Sequence, residues 1–201
     1  SLIVDNIVTY LLAGHETTAK ALTWTLYILA LMPEWQDRVR DEIMRIAKGG
    51  PILAEQIPQL ALLERVFLEA MRLYPPAPSV MRLAKRNTRL GGEEIKEGAT
   101  ITIPIYVGHR HRKLWKDPLR FDPGRFTPEA MSDRHRCAYM PFSAGPRNCI
   151  GGAFAMFEGK AILATLLAGA RFAPPPGEPP TPVARITLHA RPRVALNIFG
   201  L

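Results

Sequence analysis

Apolar residues recur at helical spacing from the first positions of the chain. Leu2/Ile3, Ile7/Val8 and Leu11/Leu12 repeat on one face, and Ala21–Met32 is almost wholly apolar. The pattern predicts one helix over 1–32, ~48 Å long at 1.5 Å per residue. It is a poor membrane span, because the uncharged stretch between Lys20 and Glu34 has 13 residues, short of the ~20 a bilayer needs. Pro33 suits the first turn of a second helix over Pro33–Lys48, which Gly49-Gly50-Pro51 ends. Glu34, Asp37, Arg38, Asp41 and Arg45 give that helix a charged outer face. A third helix, Gln59–Tyr74, is apolar nearly all round and is expected to be buried. Val80–Lys85, Thr88–Leu90, Glu93–Ile95 and Thr100–Pro104 read as short strands, with Gly91-Gly92 as a hairpin turn. Residues 106–148 are irregular and proline-punctuated. A fourth apolar helix covers Gly152–Ala168, Pro174–Pro182 is a loop, and 183–199 holds two more short strands. The fold class is mainly α with small β-sheets.

Composition sharpens this division. Only three of the 19 prolines precede Pro75, so the front is helical and the back rich in ordered loops. An apolar fraction of 47% excludes disorder as the main state, and two cysteines exclude a disulfide scaffold. The chain opens Ser1-Leu2-Ile3-Val4 inside an apolar run, without an initiator methionine, which reads as a segment of something longer. Compartment and any membrane anchor are not given by these residues; a bacterial origin would imply the cytoplasm. The net charge is +8. Gly108–Arg136 carries eight basic and four acidic residues, half of that excess. Aromatics are not interleaved with these cations as a base-stacking platform requires, so nucleic acid is not the expected partner.

Three constellations carry candidate chemistry. Phe142-Ser143-Ala144-Gly145-Pro146-Arg147-Asn148-Cys149-Ile150-Gly151 places a cysteine just before an apolar helix. Unpaired N–H groups and the helix dipole there favour thiolate, a ligand or nucleophile. Gly145 and Gly151 allow a tight turn and close backbone approach. Ala13-Gly14-His15-Glu16-Thr17-Thr18 breaks helix rules in the middle of the long helix. Gly14 is expected to loosen it, so that the Thr17 hydroxyl faces a groove instead of bonding back. Glu69 and Arg72 share one face of the buried third helix and must be satisfied internally. Arg65 is a competitor for Glu69, and Arg125 a further basic partner from a loop.

In this order the motifs resemble the cytochrome P-450 superfamily of haem-thiolate monooxygenases, in its eukaryote-like branch. Phe142-x-x-Gly145-x-Arg147-x-Cys149-x-Gly151 is similar to the family's haem-binding signature. Ala13-Gly14-x-Glu16-Thr17-Thr18 is similar to its oxygen-binding helix, and Glu69-x-x-Arg72 to its Glu-x-x-Arg pair. The resemblance implies that 1–201 is the C-terminal part of a single catalytic domain. It implies haem b, with Cys149 as thiolate ligand to the iron, and O2, with electrons ultimately from NAD(P)H. Thr17 and Glu16 would be catalytic, delivering protons. Arg147 and Arg82 would pair with haem propionates, while Phe142, Gly145 and Gly151 would shape the cofactor site. Glu69, Arg72 and Arg125 would be structural. Ala13, Val80, Ile186 and Thr187, with their neighbours, would line a pocket for a small lipophilic substrate, a fatty acid among the options. Lys113, Lys116, Arg134 and Arg136 would receive a ferredoxin or a flavodoxin/reductase-type electron donor. Gly124 stands where the family has Glu, so the loop before Arg125 is expected to be looser. Alternatives at this stage are a peroxide isomerase or peroxygenase, against which Thr17 argues, and an inactive truncated fragment.

Overall fold

The computed structural model describes residues 1–200. Helix α1 runs Leu2–Leu31, capped by the Ser1 hydroxyl, and Pro33 forces Met32 out of helical geometry. Helix α2 (Pro33–Ala47) ends on left-handed Lys48. A 3-10 turn at Ala54–Gln59 leads into α3 (Ala61–Leu73). Strands β1 (Val80–Leu83), β2 (Thr88–Leu90), β3 (Glu93–Ile95) and β4 (Thr100–Ile103) follow. The irregular stretch contains only α4 (Ile105–Gly108), α5 (Pro128–Ser132) and two 3-10 turns. Helix α6 (Gly152–Gly169) precedes β5 (Ala170–Ala173), β6 (Thr181–Ala184), β7 (Leu188–Arg191) and β8 (Asn197–Gly200). The strands form four antiparallel pairs: β1–β4, β2–β3, β5–β8 and β6–β7. The back therefore holds four strands where the pattern predicted two. β5 continues directly from α6 after Gly169, with no loop between them.

The core is built by the C-terminal half of α1 with α2, α3 and α6, through Ile28, Leu29, Val39, Ile43, Leu63, Val66, Phe67, Leu163 and Leu167. Gly159 makes the α3–α6 approach possible, since a Cβ there would lie 2.4 Å from the Phe67 ring. The charged face of α2 is outward, but its opposite face is polar as well as apolar, and this docks the helix. Gln36 bonds the backbone of Leu29 and Phe172, and Arg40 donates to Leu167 O and Ala170 O. Glu42 accepts from Leu62 N and Leu63 N at 2.8 and 2.9 Å, capping α3 where Leu60 has no polar side chain. By length and composition α6 is apolar enough to cross a membrane. Its buried face, including Lys160 paired with Glu64, packs into the core.

Packing is one-sided along α1. Every residue from Leu2 to His15 is exposed, including Leu2, Ile3, Ile7, Leu11 and Leu12, whereas Trp24–Ala30 are buried apart from half-buried Leu26.

Candidate functional site

Cys149 lies on a loop folded tightly against the core. Its N–H donates to Phe142 O at 2.9 Å, closing the loop on itself. Gly145 turns the chain at φ +77°, followed by a 3-10 turn over Gly145–Arg147. The Phe142 ring packs on the main core and on Gly152, where a Cβ would sit 3.3 Å from it. A Cβ at Gly151 would lie 3.9 Å from Cys149 Sγ. The N–H groups of Ile150 and Gly151 have no acceptor among the described residues. Cys149 is exposed, as are Ile150 and Phe154 beside it. The result is a thiol at the mouth of a helix N-terminus, on a loop that turns at left-handed Gly145 and packs closely at Gly152. A single soft sulfur donor with free N–H groups and an apolar surround suits a thiolate-ligated haem iron.

The long helix departs from expectation. It is continuous through Gly14, and Thr17 Oγ1 donates to Ala13 O at 2.6 Å. The hydroxyl bonds back because the carbonyl one turn earlier is within its reach and Gly14 opens no break. Glu16 is engaged by the β6–β7 hairpin instead. Thr187 Oγ1 donates to Glu16 Oε1 at 2.9 Å, and His189 Nε2 lies 3.4 Å from the same oxygen. Thr187 is itself buried and ties the hairpin to the helix. Ile186, one residue earlier, is 94% exposed. Ala13 is exposed and Val80 half-buried.

Glu69 and Arg72 are fully buried and bidentate, at 2.6 and 2.8 Å. Glu69 also accepts from Asp122 N at 2.9 Å, and Arg125 Nε stands at an ion-pair distance of 3.4 Å. Arg72 reaches onward to the carbonyls of His109, Pro118 and Arg120. Burial pushes the Glu69 carboxyl up, and the hydrogen bond and charge of Arg72 oppose this most strongly. Arg65 does not compete; it bonds Ala61 O on its own helix. The Gly124 loop is closed and not loose. Asp122 accepts from Gly124 N at 3.0 Å, and a Cβ at 124 would crowd that oxygen at 2.9 Å. His109 is buried and neutral, its pKa lowered to about 4 chiefly by desolvation, and it accepts from Met140 N at 2.9 Å.

The basic face divides in two. Lys113, Lys116 and Arg136 are exposed. Arg134 is instead half-buried, donating to Arg125 O and lying over the Trp115 and Phe126 rings. Its charge serves the fold, since a planar guanidinium stacks on aromatics as Lys does not. Arg147 is exposed, and so is Arg82, which donates to Met81 O.

Residues 2–196 match the family profile of cytochrome P-450. The chain belongs to the cytochrome P-450 family. It is 42% identical to the cytokinin hydroxylase of Arabidopsis thaliana, over 100% of this chain and 39% of that protein. It is 40% identical to cytochrome P-450 4X1 of Mus musculus, over 96% of this chain and 38% of the relative. It is 41% identical to the taurochenodeoxycholic 6 alpha-hydroxylase of Sus scrofa, over 94% and 38%. The crystal structure of a cytochrome P-450 haem domain superimposes with a TM-score of 0.89 at 31% identity, covering 96% of this chain and 43% of that one. The chain thus spans about two fifths of the length of the curated relatives it matches. These three relatives are plant and mammalian proteins, in keeping with the eukaryote-like branch.

Within this cytochrome P-450 chain, sequence reading passed over His109, Tyr139, Trp115 and His189. Only His109 carried a local signal, a histidine in the apolar stretch after Pro104. Trp115 and Tyr139 acquire their aromatic neighbours from separate parts of the irregular stretch, and His189 meets Glu16 of α1.

Proposed function

We propose that residues 1–201 are the C-terminal part of a single cytochrome P-450 catalytic domain, acting as a haem-dependent monooxygenase on a small lipophilic substrate. The observation that carries this is the exposed Cys149 thiol, on a loop closed by its own N–H and followed by two free N–H groups. A thiolate-ligated haem, when bound, supplies oxygen activation, because the sulfur's electron density favours O–O cleavage.

The chain's own residues then divide the remaining work. Cys149 holds the iron, with its negative charge stabilised by the start of α6. Gly145 and Gly151 keep the backbone close, and Phe142 excludes water from the sulfur side. Arg82 and Arg147, exposed on the surface, would pair with the haem carboxylates as planar forks. Glu69, Arg72 and Arg125 hold the irregular segment leading to Cys149. On α1, Glu16 and Thr17 retain and pass protons where oxygen is handled. Ala13, Val80 and Ile186 offer apolar surface to the substrate, a fatty acid being one option. Lys113, Lys116 and Arg136 steer an acidic ferredoxin or flavodoxin-type donor that relays electrons from NAD(P)H.

A peroxide-driven reaction is a second reading, favoured by the Thr17 hydroxyl already committed to Ala13 O. The deciding experiment uses the full-length protein, reduced and treated with carbon monoxide. A red-shifted Soret band in the wild type, lost in Cys149→Ser, is expected. Survival of the band in that variant overturns the assignment. Product formation from NAD(P)H and donor, against hydrogen peroxide alone, separates the two readings.

A further inference from the structure

We propose that Thr187 and His189 are positioning residues for Glu16, fixing its carboxylate from the β6–β7 hairpin and so tying proton handling on α1 to the hairpin's turn. This rests on the monooxygenase reading above.

No group on α1 donates to the Glu16 carboxylate among the described residues; its partners come from the hairpin. The donors order themselves. The Thr187 hydroxyl hydrogen goes to Glu16 Oε1, so the Thr187 oxygen accepts at 3.1 Å from His189 Nε2, which must carry the proton. His189 thereby supports Thr187 and faces Glu16 with the same N–H. The platform is rigid. Leu188, between the two, donates to Pro76 O at 2.8 Å and accepts from the indole of Trp24 at 3.4 Å. That indole stacks on Tyr74 with ring centroids 4.0 Å apart. Backbone pinned at Leu188 leaves Thr187 little room to move, and buried support of this kind is what holds a functional group in place.

Next to His189 a cavity of about 550 Å³ is lined by Lys20 from α1 and by Arg185, Arg191 and Arg193 from the hairpin and the segment after it, and no carboxylate lines it. Ile186 is adjacent to Thr187 and almost fully exposed. A substrate pressing on Ile186 therefore acts one residue from the anchor of the acid.

The test uses the full-length haem-loaded protein as wild type, Thr187→Val, Thr187→Ser, His189→Gln, Glu16→Gln and Glu16→Gln/Thr187→Val. Haem loading is read first from the reduced carbon monoxide spectrum; a wild type without the band refutes the monooxygenase reading and not the positioning claim. Thr187→Val and His189→Gln are expected to lower kcat about tenfold and raise the share of electrons lost to hydrogen peroxide, with KM within about twofold. Thr187→Ser restores turnover, because it returns the hydroxyl. Adding Thr187→Val to Glu16→Gln costs less than about twofold more. Thermal unfolding gives a readout independent of turnover: the Glu16 and Thr187 changes are non-additive. The proposal is overturned if Thr187→Val shifts KM more than kcat, as a pocket wall would. It is equally overturned if the two substitutions multiply in rate and add in stability. If Thr187→Val does not load haem, Thr187→Ala and His189→Gln complete the same cycle.

Discussion

Glu69→Gln is the most informative single change for the fold. It keeps the shape of the side chain and removes its charge. Glu69 accepts from Arg72 Nε at 2.6 Å, from Arg72 Nη2 at 2.8 Å and from Asp122 N at 2.9 Å, with no solvent at either Glu69 or Arg72. An amide has one acceptor oxygen, so its NH2 group must face a donor. Leaving one partner of a buried pair uncompensated costs about 3–5 kcal/mol, against a total stability of about 5–15 kcal/mol for a domain. Urea unfolding followed by circular dichroism should therefore show an unfolding free energy lowered by that amount, seen as a lower midpoint with the slope unchanged. The double variant Glu69→Leu/Arg72→Met adds a sharper check. Replacing a simple buried pair by apolar residues is often neutral. Here Arg72 also satisfies the carbonyls of His109, Pro118 and Arg120. Each would be orphaned at a cost of about 1–3 kcal/mol, so the double variant should not recover. A Glu69→Gln loss below about 1 kcal/mol, or a double variant as stable as wild type, would refute the reasoning.

Three further outcomes follow from the geometry. His109 is neutral when folded, its pKa lowered from 6.5 to about 4 by burial. Its contribution is therefore complete above pH 6.5 and is lost as pH falls from 6.5 towards 4, by about 3 kcal/mol in all; His109→Gln should flatten denaturation midpoints in that window, and an unchanged slope would count against it. Gly159→Ala should destabilise by about 1–3 kcal/mol through overpacking, since its Cβ would fall 2.4 Å from buried Phe67, and adding Phe67→Leu should restore much of the loss in thermal melts. Cys137 and Cys149 are both exposed and free, so a thiol reagent should label both in haem-free protein, with haem loading protecting Cys149 alone; protection of neither would argue against thiolate ligation.

The periodic elements were legible because each is set by its own residues. The boundaries of α1 and α2 follow from Pro33 and the glycines after Lys48, and the Cys149 loop follows from Gly145 and its position before α6. Much of what escaped was relational. Thr187 is an unremarkable threonine until the hairpin brings it beneath Glu16, 171 positions away. Arg134 looked like one more surface cation because nothing local announces Trp115 and Phe126 beside its guanidinium. Nothing in the residues around Glu42 marks its role, which is to cap a different helix. Thr17 is the opposite case: its bond to Ala13 O is wholly local, but a β-branched hydroxyl one turn after a glycine is compatible with either orientation.

The three carbonyls gathered by Arg72 have an evolutionary consequence. A carbonyl is the same whichever amino acid carries it. The segment from His109 to Arg120 is hung on one guanidinium by groups that no substitution short of backbone rearrangement removes. Lys113 and Lys116 lie between those attachment points. The surface charges of this segment are thus free to drift, in number and in sign, without loosening the scaffold beneath. A lineage can retune the charge this surface presents while the core of the molecule remains under no corresponding pressure to change.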